Sequence, residues 1–311
     1  MTILKGFRTA DDRAKEKKPF NCVILAPNGV GKTTLATQLP PEQTLVINIE
    51  SGLKSIGNSN LTDFDVIQFC SDYNKTERGI QKPLNPWILT QMLICAIAGP
   101  TPGEPAESIN SAESYQMIKQ FFAEVMGIDI TTFFDQFKYL FIDSISDLST
   151  LCYNYNAHFY EGRFTKKGEL NPMAIYGQVG IELENLISKI QKCPNKSCIM
   201  AMKHNLSVDD YSKPVWKPEC KGSVGYNALK GIFDCVWALH IFQPDEAQKE
   251  QYAPFLCKDG LYRTIITNKR NDYGMEDLKT RGINKDGFPP LSTYEVPNLF
   301  SVLQKLEQSE F

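Results

Sequence analysis

Along this chain, short apolar runs closed by polar or glycine-containing stretches alternate with segments whose apolar residues recur every three to four positions. Runs of the first kind read as buried strands of a parallel sheet, and segments of the second kind as the helices that cover it. The strand candidates are Val23 to Leu25, Thr44 to Ile49, Asp65 to Cys70, Tyr139 to Asp143, Ser197 to Met202, Phe233 to Ile241 and Tyr262 to Thr267. Helices are predicted over Lys32 to Gln38, Pro86 to Ala98, Ser111 to Met126, Met173 to Lys192 and Pro297 to Glu307. In the second of these Asn85 stands at the cap and proline at the first helical position, the favoured arrangement at a helix start. In the fourth, Tyr176, Val179, Leu183, Leu186, Ile187 and Ile190 keep helical spacing. Between the last two strands lies a polar excursion ending in a Lys-Asp-Gly turn, which predicts a hairpin. The expected architecture is therefore α/β, with a mostly parallel central sheet flanked by helices and an antiparallel strand addition toward the C-terminus.

The first strand breaks into APNGVGKT, Ala26 to Thr33. This run keeps the G-x-x-x-x-G-K-[ST] spacing except that Ala26 stands for the first glycine. Gly29 and Gly31 can take backbone angles closed to other residues, so the amides of Asn28, Gly29, Val30 and Gly31 can curl inward around phosphate oxygens. The helix that follows adds its positive N-terminus. In that arrangement Lys32 reaches the β and γ phosphates, the Thr33 hydroxyl ligates Mg²⁺, and Thr34 packs or caps. An apolar strand before the loop and a helix after it separate this reading from a glycine-rich turn followed by chance by lysine.

A triphosphate site needs a second acid and a base. Tyr139-Leu140-Phe141-Ile142-Asp143 is an apolar strand closed by aspartate, whose carboxylate would hold the metal; taken alone it would read equally as a strand followed by a turn residue. Ser144 follows where many such ATPases carry glutamate, so the residue that polarises the attacking water must come from elsewhere. Glu50, at the tip of the strand after the loop helix, is the candidate, against a solvent-exposed loop carboxylate. Ser197 to Met202 ends at Lys203-His204-Asn205, where His204 or Asn205 is placed to sense the γ phosphate or merely to cap the strand. Lys269 and Arg270, beyond the last strand, are two adjacent cations able to stabilise phosphate charge in their own subunit or across an interface, or simply an exposed basic turn.

Net charge is −3, so no global basic field holds nucleic acid, and any such contact must be local. Two segments qualify. From Ser144 to Pro172 aromatic residues interleave with Arg163, Lys166 and Lys167, and Ser207 to Leu229 groups Lys213, Trp216, Lys217 and Lys221 among prolines and glycines. Each reads equally well as core-packed aromatics with charges outside, or as a solvated connection. Residues 1 to 19 form a polar arm rich in lysine and arginine, residues 20 to 282 the core, and residues 283 to 311 a tail.

Composition bounds the class. At 42% hydrophobic and 22% charged residues the chain is an ordinary globular protein, long enough for a sizeable core. No apolar run approaches the roughly 20 residues that span a bilayer, and Met1 to Phe20 contains no apolar signal core, so a cytoplasmic location and no membrane contact are expected. Nine scattered cysteines read as buried thiols in a reducing compartment. Cys193 and Cys198 read as flanking a turn, since no second ligand pair stands at zinc spacing.

Four pieces, KKPFNCVILAPNGVGKTTLATQLP, VINIESGL, YLFIDSISDL and TIITNKRNDYG, resemble in order and spacing the RecA-like P-loop NTPase core, in particular bacteriophage nucleotide-binding proteins that include single-strand-annealing ATPases. The resemblance spans most of residues 18 to 275. It implies ATP and Mg²⁺ as cofactors, Glu50 as catalytic glutamate, His204 near a polar sensor that is often glutamine, and Lys269 with Arg270 as trans-reaching fingers in a ring or filament. It also implies single-stranded DNA as partner in recombination or replication, a homo-oligomer, and a single-strand-binding protein as a further partner. A nucleotide-gated protein-binding module and a small-molecule kinase on the same fold remain the rival readings.

Overall fold

A computed structural model describes residues 19–50, 56–208, 212, 214–222, 231–281 and 289–309. The predicted arm, residues 1–19, therefore lies outside the described residues but for Pro19, as do Lys213 and most of the tail's start.

Among the described residues ten strands form the sheet. They are β1 (Asn21–Ala26), β2 (Thr44–Asn48), β3 (Thr62–Asp65), β4 (Tyr139–Asp143), β5 (Ser197–Val208), β6 (Pro214–Pro218), β7 (Cys235–Phe242), β8 (Tyr262–Ile266), β9 (Lys279–Thr280) and β10 (Tyr294–Glu295). The main order is β10-β8-β7-β1-β5-β4-β2-β3, with β6 on β5 and β9 on β7. From β7 through β3 every neighbouring pair on this path is parallel, whereas β8, β9 and β10 are antiparallel additions, as is β6. β1 thus lies between two parallel neighbours, with Ala26 opposite Lys203 of β5 and Leu25 opposite Ala238 of β7. Ligands of such sheets gather beyond the carboxyl ends of the strands, and the loop after Ala26 opens there.

The period-2 alternation of the strands sorts the core into two layers. On one face Val23, Leu25, Leu140, Ile142, Met200 and Met202 pack under α3 (Pro86–Ala98), α4 (Ala112–Met126), α6 (Ile145–Phe159) and α7 (Pro172–Gln191). On the other, Ile24, Phe141, Ile199 and Trp237 meet Leu35, Ala36 and Leu39 of the segment after the loop and Leu299, Val302, Leu303 and Leu306 of α8 (Leu299–Gln308). The remaining α-helices named among the described residues are α1 (Val66–Asn74), α2 (Glu77–Gln81) and α5 (Ile130–Phe133). Several starts follow from the sequence: the side chains of Asn85, Ser111 and Asn171 accept amide hydrogens from the first turns of α3, α4 and α7.

Four expectations change. Residues 65–70 are not a strand: β3 ends at Asp65, whose side chain accepts from Gln68 N and so starts a helix. The segment after the phosphate loop, Thr33–Gln38, is a 3₁₀ helix, too short to add much of a dipole. Of the two readings of the segment after β4, a strand-binding stretch or a helix with its aromatics packed inward, residues 145–159 take the helix, α6, with Ile145, Leu148 and Cys152 buried in the core. β5 runs on to Val208 and folds back on β6, so part of the presumed long loop is a two-stranded ribbon with prolines at its ends. Of the helical apolar set in α7 all but Tyr176 are buried, and Tyr176 instead packs on Tyr153 of α6 at 5.0 Å.

Candidate functional site

The loop 27–32 leaves β1 at the carboxyl edge with Gly29 at φ +76° and Gly31 at φ +103°, angles that side chains with a Cβ rarely adopt. Lys32 is buried and folds back over the loop, its Nζ donating to the carbonyls of Ala26 (3.0 Å) and Pro27 (2.9 Å). Burial lowers its pKa, opposed by the charges of Asp143 and Glu50. The Thr33 hydroxyl donates to Asp143 Oδ2. β4 carries Asp143 to this point because its five residues are all buried and lie in parallel register beside β2 and β5.

Glu50 sits where the end of β2 is stitched to β4. The amides of Ile49 and Glu50 both donate to the Asp143 carbonyl, at 2.7 and 3.3 Å. The Glu50 carboxylate pairs with Lys203 Nζ at 3.3 Å, and the same ammonium donates to Asp147 at 3.0 Å. Asp147 is held by the first turn of α6, where its amide donates to Ser144 Oγ at 3.3 Å and that hydroxyl donates back to its carboxylate. Ser146 Oγ accepts from the Lys203 amide at 2.9 Å. Burial works against the Lys203 charge, but Asp147 and Glu50 outweigh it and the net shift is upward. Two cations and three carboxylates, carried at the ends of β1, β2 and β4, within β5 and at the start of α6, thus form a single electrostatic cluster.

Residues 18–273 match the family model described as an AAA domain. The chain belongs to this AAA domain family. No curated protein matches it. Among solved structures it is similar to the flagellar accessory protein FlaH from Methanocaldococcus jannaschii, at 11% identity and a TM-score of 0.33 over 82% of this chain and 81% of that one. It is also similar to an ATPase of the type III secretion system of pathogenic bacteria, at 12% identity and 0.30 over 78% and 54%. A third similar structure is the uncharacterised protein PH0321 from Pyrococcus horikoshii, in complex with an unknown peptide, at 12% identity and 0.27 over 82% and 86%.

The AAA domain is thus a P-loop ATPase domain, and its residues fit a metal-bound triphosphate on local grounds. Asp143 Oδ1 is buried without a hydrogen-bond partner among the described residues, beside the Thr33 hydroxyl that touches the other oxygen of the same carboxylate. Burial raises the Asp143 pKa, with the Thr33 bond opposing, which is the signature of a carboxylate short of positive charge. A divalent ion ligated by the Thr33 hydroxyl and neighboured by Asp143 would supply that charge.

Other predicted residues of the AAA domain are placed differently. His204 follows Lys203 in β5 and so faces the opposite layer: it is 3% exposed, its ring lies tilted against Trp216 at 5.0 Å, and its Nδ1 has no hydrogen bond among the described residues. Burial lowers its pKa to about 4. Asn205 donates to Glu219 at 3.2 Å. Lys269 and Arg270 are exposed beyond the carboxyl end of β8, but β8 is antiparallel to β7, so it is the start of β8 that lies at the loop edge. Arg163 lies over the Phe164 ring at 4.8 Å and donates to Tyr160 O, while Lys166, Lys167 and Lys217 are exposed. Trp216 is no open stacking platform, for its indole is half-buried between His204 and His240 and donates to Tyr273 O at 3.1 Å.

Three charged residues at the site escaped the reading of the sequence: Lys203, Asp147 and Arg263. Lys203 was visible as the residue after a buried run, but choosing it over His204 requires the cross-strand register with Ala26. Asp147 stands three residues after Ser144 in a capping pattern, which was a usable signal. Arg263 is a lone cation within an otherwise apolar strand, four residues after Asp259. Its Nε donates to Val30 O at 2.7 Å.

Proposed function

We propose that this chain is a Mg²⁺-dependent ATPase of the RecA-like type in which Lys32 binds the β and γ phosphates, Glu50 orients the attacking water and Lys203 senses the γ phosphate. The observation that carries the reading is the convergence of Lys32, Thr33, Asp143, Glu50 and Lys203 at the carboxyl edge of β1, β2, β4 and β5. The amides of Asn28, Gly29, Val30 and Gly31 cradle the phosphates, and Thr34 serves the first turn behind them. Thr33 and Asp143 would hold the metal, which would offset negative charge on the triphosphate. Glu50, partly exposed and tied to Asp143 through its own amide, is free to accept a proton from water once Lys203 turns toward phosphate. Asp147 then keeps Lys203 within reach. ATP turnover is expected to fall about 100-fold or more in Lys32→Ala and in Glu50→Gln, by loss of phosphate stabilisation and of the base respectively. Normal hydrolysis by Glu50→Gln would remove it from the mechanism.

The partner we propose is single-stranded DNA, engaged by a homo-oligomer in phage recombination or replication, with a single-strand-binding protein as a further partner. What supports this is local: exposed Lys166 and Lys167 on the α6–α7 connection and exposed Lys217 on the β5–β6 ribbon, in a chain of net charge −3. With Trp216 packed inward, contact runs through phosphates rather than base stacking. Lys269 and Arg270, outside their own loop edge, serve a neighbouring subunit's nucleotide in this reading. Labelled single-stranded DNA should bind more tightly with ATP than without, and lose affinity steeply between low and moderate salt. Salt-independent binding, or none, would return the choice to a nucleotide-gated protein-binding module, and phosphate transfer to a small acceptor would favour a kinase.

A further inference from the structure

A loop that turns its amides toward phosphate turns carbonyls the other way, and buried carbonyls need partners. Lys32 supplies two of these bonds, to Ala26 and Pro27, but it must give them up to reach a nucleotide. Val30 is different. Its carbonyl accepts from Arg263 Nε at 2.7 Å, in a buried bond between residues 233 positions apart. The remaining nitrogens of the same guanidinium grip Asp259 bidentately, Nη1 to Oδ1 at 2.7 Å and Nη2 to Oδ2 at 2.6 Å. The Arg263 side chain is 11% exposed and that of Asp259 52%. Asp259 raises the arginine's pKa still further, and the arginine holds Asp259 down at about 2, so the pair stays charged throughout the neutral range. Gly31 is packed from the same side: a Cβ built there would lie 3.7 Å from Arg263 Nε.

We infer that Arg263 is a positioning residue that holds the outer side of the phosphate loop in its binding shape before nucleotide arrives, with Asp259 fixing the guanidinium from the tip of the β7–β8 connection. Lys32 and Arg263 divide the work. The lysine lends its charge to the loop and withdraws it when phosphate enters, while the arginine stays where it is. The planar fork suits this role because it serves a carbonyl and a carboxylate together, which a lysine ammonium cannot do with fixed geometry. The inference rests on the ATPase reading for its consequence in binding, though not for the loop's shape.

The test uses the full chain with Arg263→Gln, Arg263→Lys and Asp259→Asn. Calorimetry with Mg·ADP should show affinity about 10- to 100-fold weaker in Arg263→Gln, the range for losing a charged hydrogen bond. The kcat at saturating ATP should stay within a few-fold of wild type while KM rises. Arg263→Lys should recover part of the loss. Asp259→Asn, a change at an exposed turn, should weaken binding less, and adding it to Arg263→Gln should cost nothing further. In nucleotide-free protein, amide hydrogen exchange over Asn28 to Lys32 should speed up in Arg263→Gln while that of β1 does not. Wild-type affinity and wild-type loop exchange in Arg263→Gln would overturn the inference. Should Arg263→Gln fail to fold, Arg263→Lys and Asp259→Asn decide it by the same two readouts. If wild type binds no Mg·ADP and Lys32→Ala changes nothing, the ATPase reading fails, and the exchange comparison still judges the role of Arg263.

Discussion

Lys203 and His204 are adjacent in β5, similar in polarity, and used in opposite ways. Lys203 turns to the layer of the phosphate loop, where Glu50 and Asp147 keep it charged. His204 turns to the layer of Trp216, His240 and Tyr273, a chain of rings at 5.0, 6.1 and 4.1 Å, where burial keeps it neutral. Backbone height along the sheet is nearly the same for both, so being at the ligand edge does not make a residue part of the site. The pleat decides, because a shift of one residue changes the face.

If the two faces divide chemistry from support, Lys203→Met should lower ATP turnover about 10- to 100-fold, the order of losing one preorganised charge at the reacting phosphate. Nucleotide affinity should change much less, and steady-state kinetics beside a binding isotherm would separate the two. Equal turnover in Lys203→Met and wild type would erase the distinction. His204→Gln should leave turnover within about twofold of wild type, and its effect should appear in the pH dependence of stability. A histidine whose pKa is about 4 when folded and 6.5 in the ordinary case binds its proton mainly in the unfolded chain between those values. Its neutral burial therefore contributes fully above pH 6.5 and is lost as pH falls toward 4, by roughly 3 kcal/mol in all. Urea unfolding at several pH values should show this slope in wild type and a flatter one in His204→Gln. The mildest effect belongs to Asp143. Its raised pKa means that the charge needed for the metal is complete at high pH and fades on acidification sooner than for an ordinary aspartate. Mg·ADP affinity should accordingly weaken on acidification, at higher pH than an ordinary aspartate would allow, while ADP binding without metal follows a shallower course.

How much of this was readable in advance varies with the range of the interaction. The phosphate loop and the strand ending at Asp143 are local patterns, and their elements appear where the residues place them, apart from the 3₁₀ geometry after the loop. Glu50 was legible as a strand-tip acid, but its pairing with Lys203 was not, because that depends on β2, β4 and β5 lying side by side out of sequence order. Arg263 was hidden for the same reason: β8 had to be antiparallel for its first residues, rather than its last, to meet the loop. The misread strand at 65–70 has a different cause. Its apolar and polar residues fit either period, and the cap formed by Asp65 settles the matter for helix.

The contact between Gln38 and the last helix has a practical consequence. Gln38 Nε2 donates to Pro297 O and its Oε1 accepts from Leu299 N, each at 2.7 Å, while α8 lays four apolar side chains against the segment that follows the phosphate loop. The C-terminal helix is therefore a buttress of the nucleotide cradle, although nearly 260 residues separate them in the chain. Trimming the protein before Pro297 for convenience would loosen the floor beneath Lys32, and inactivity in such a fragment would say nothing about its chemistry.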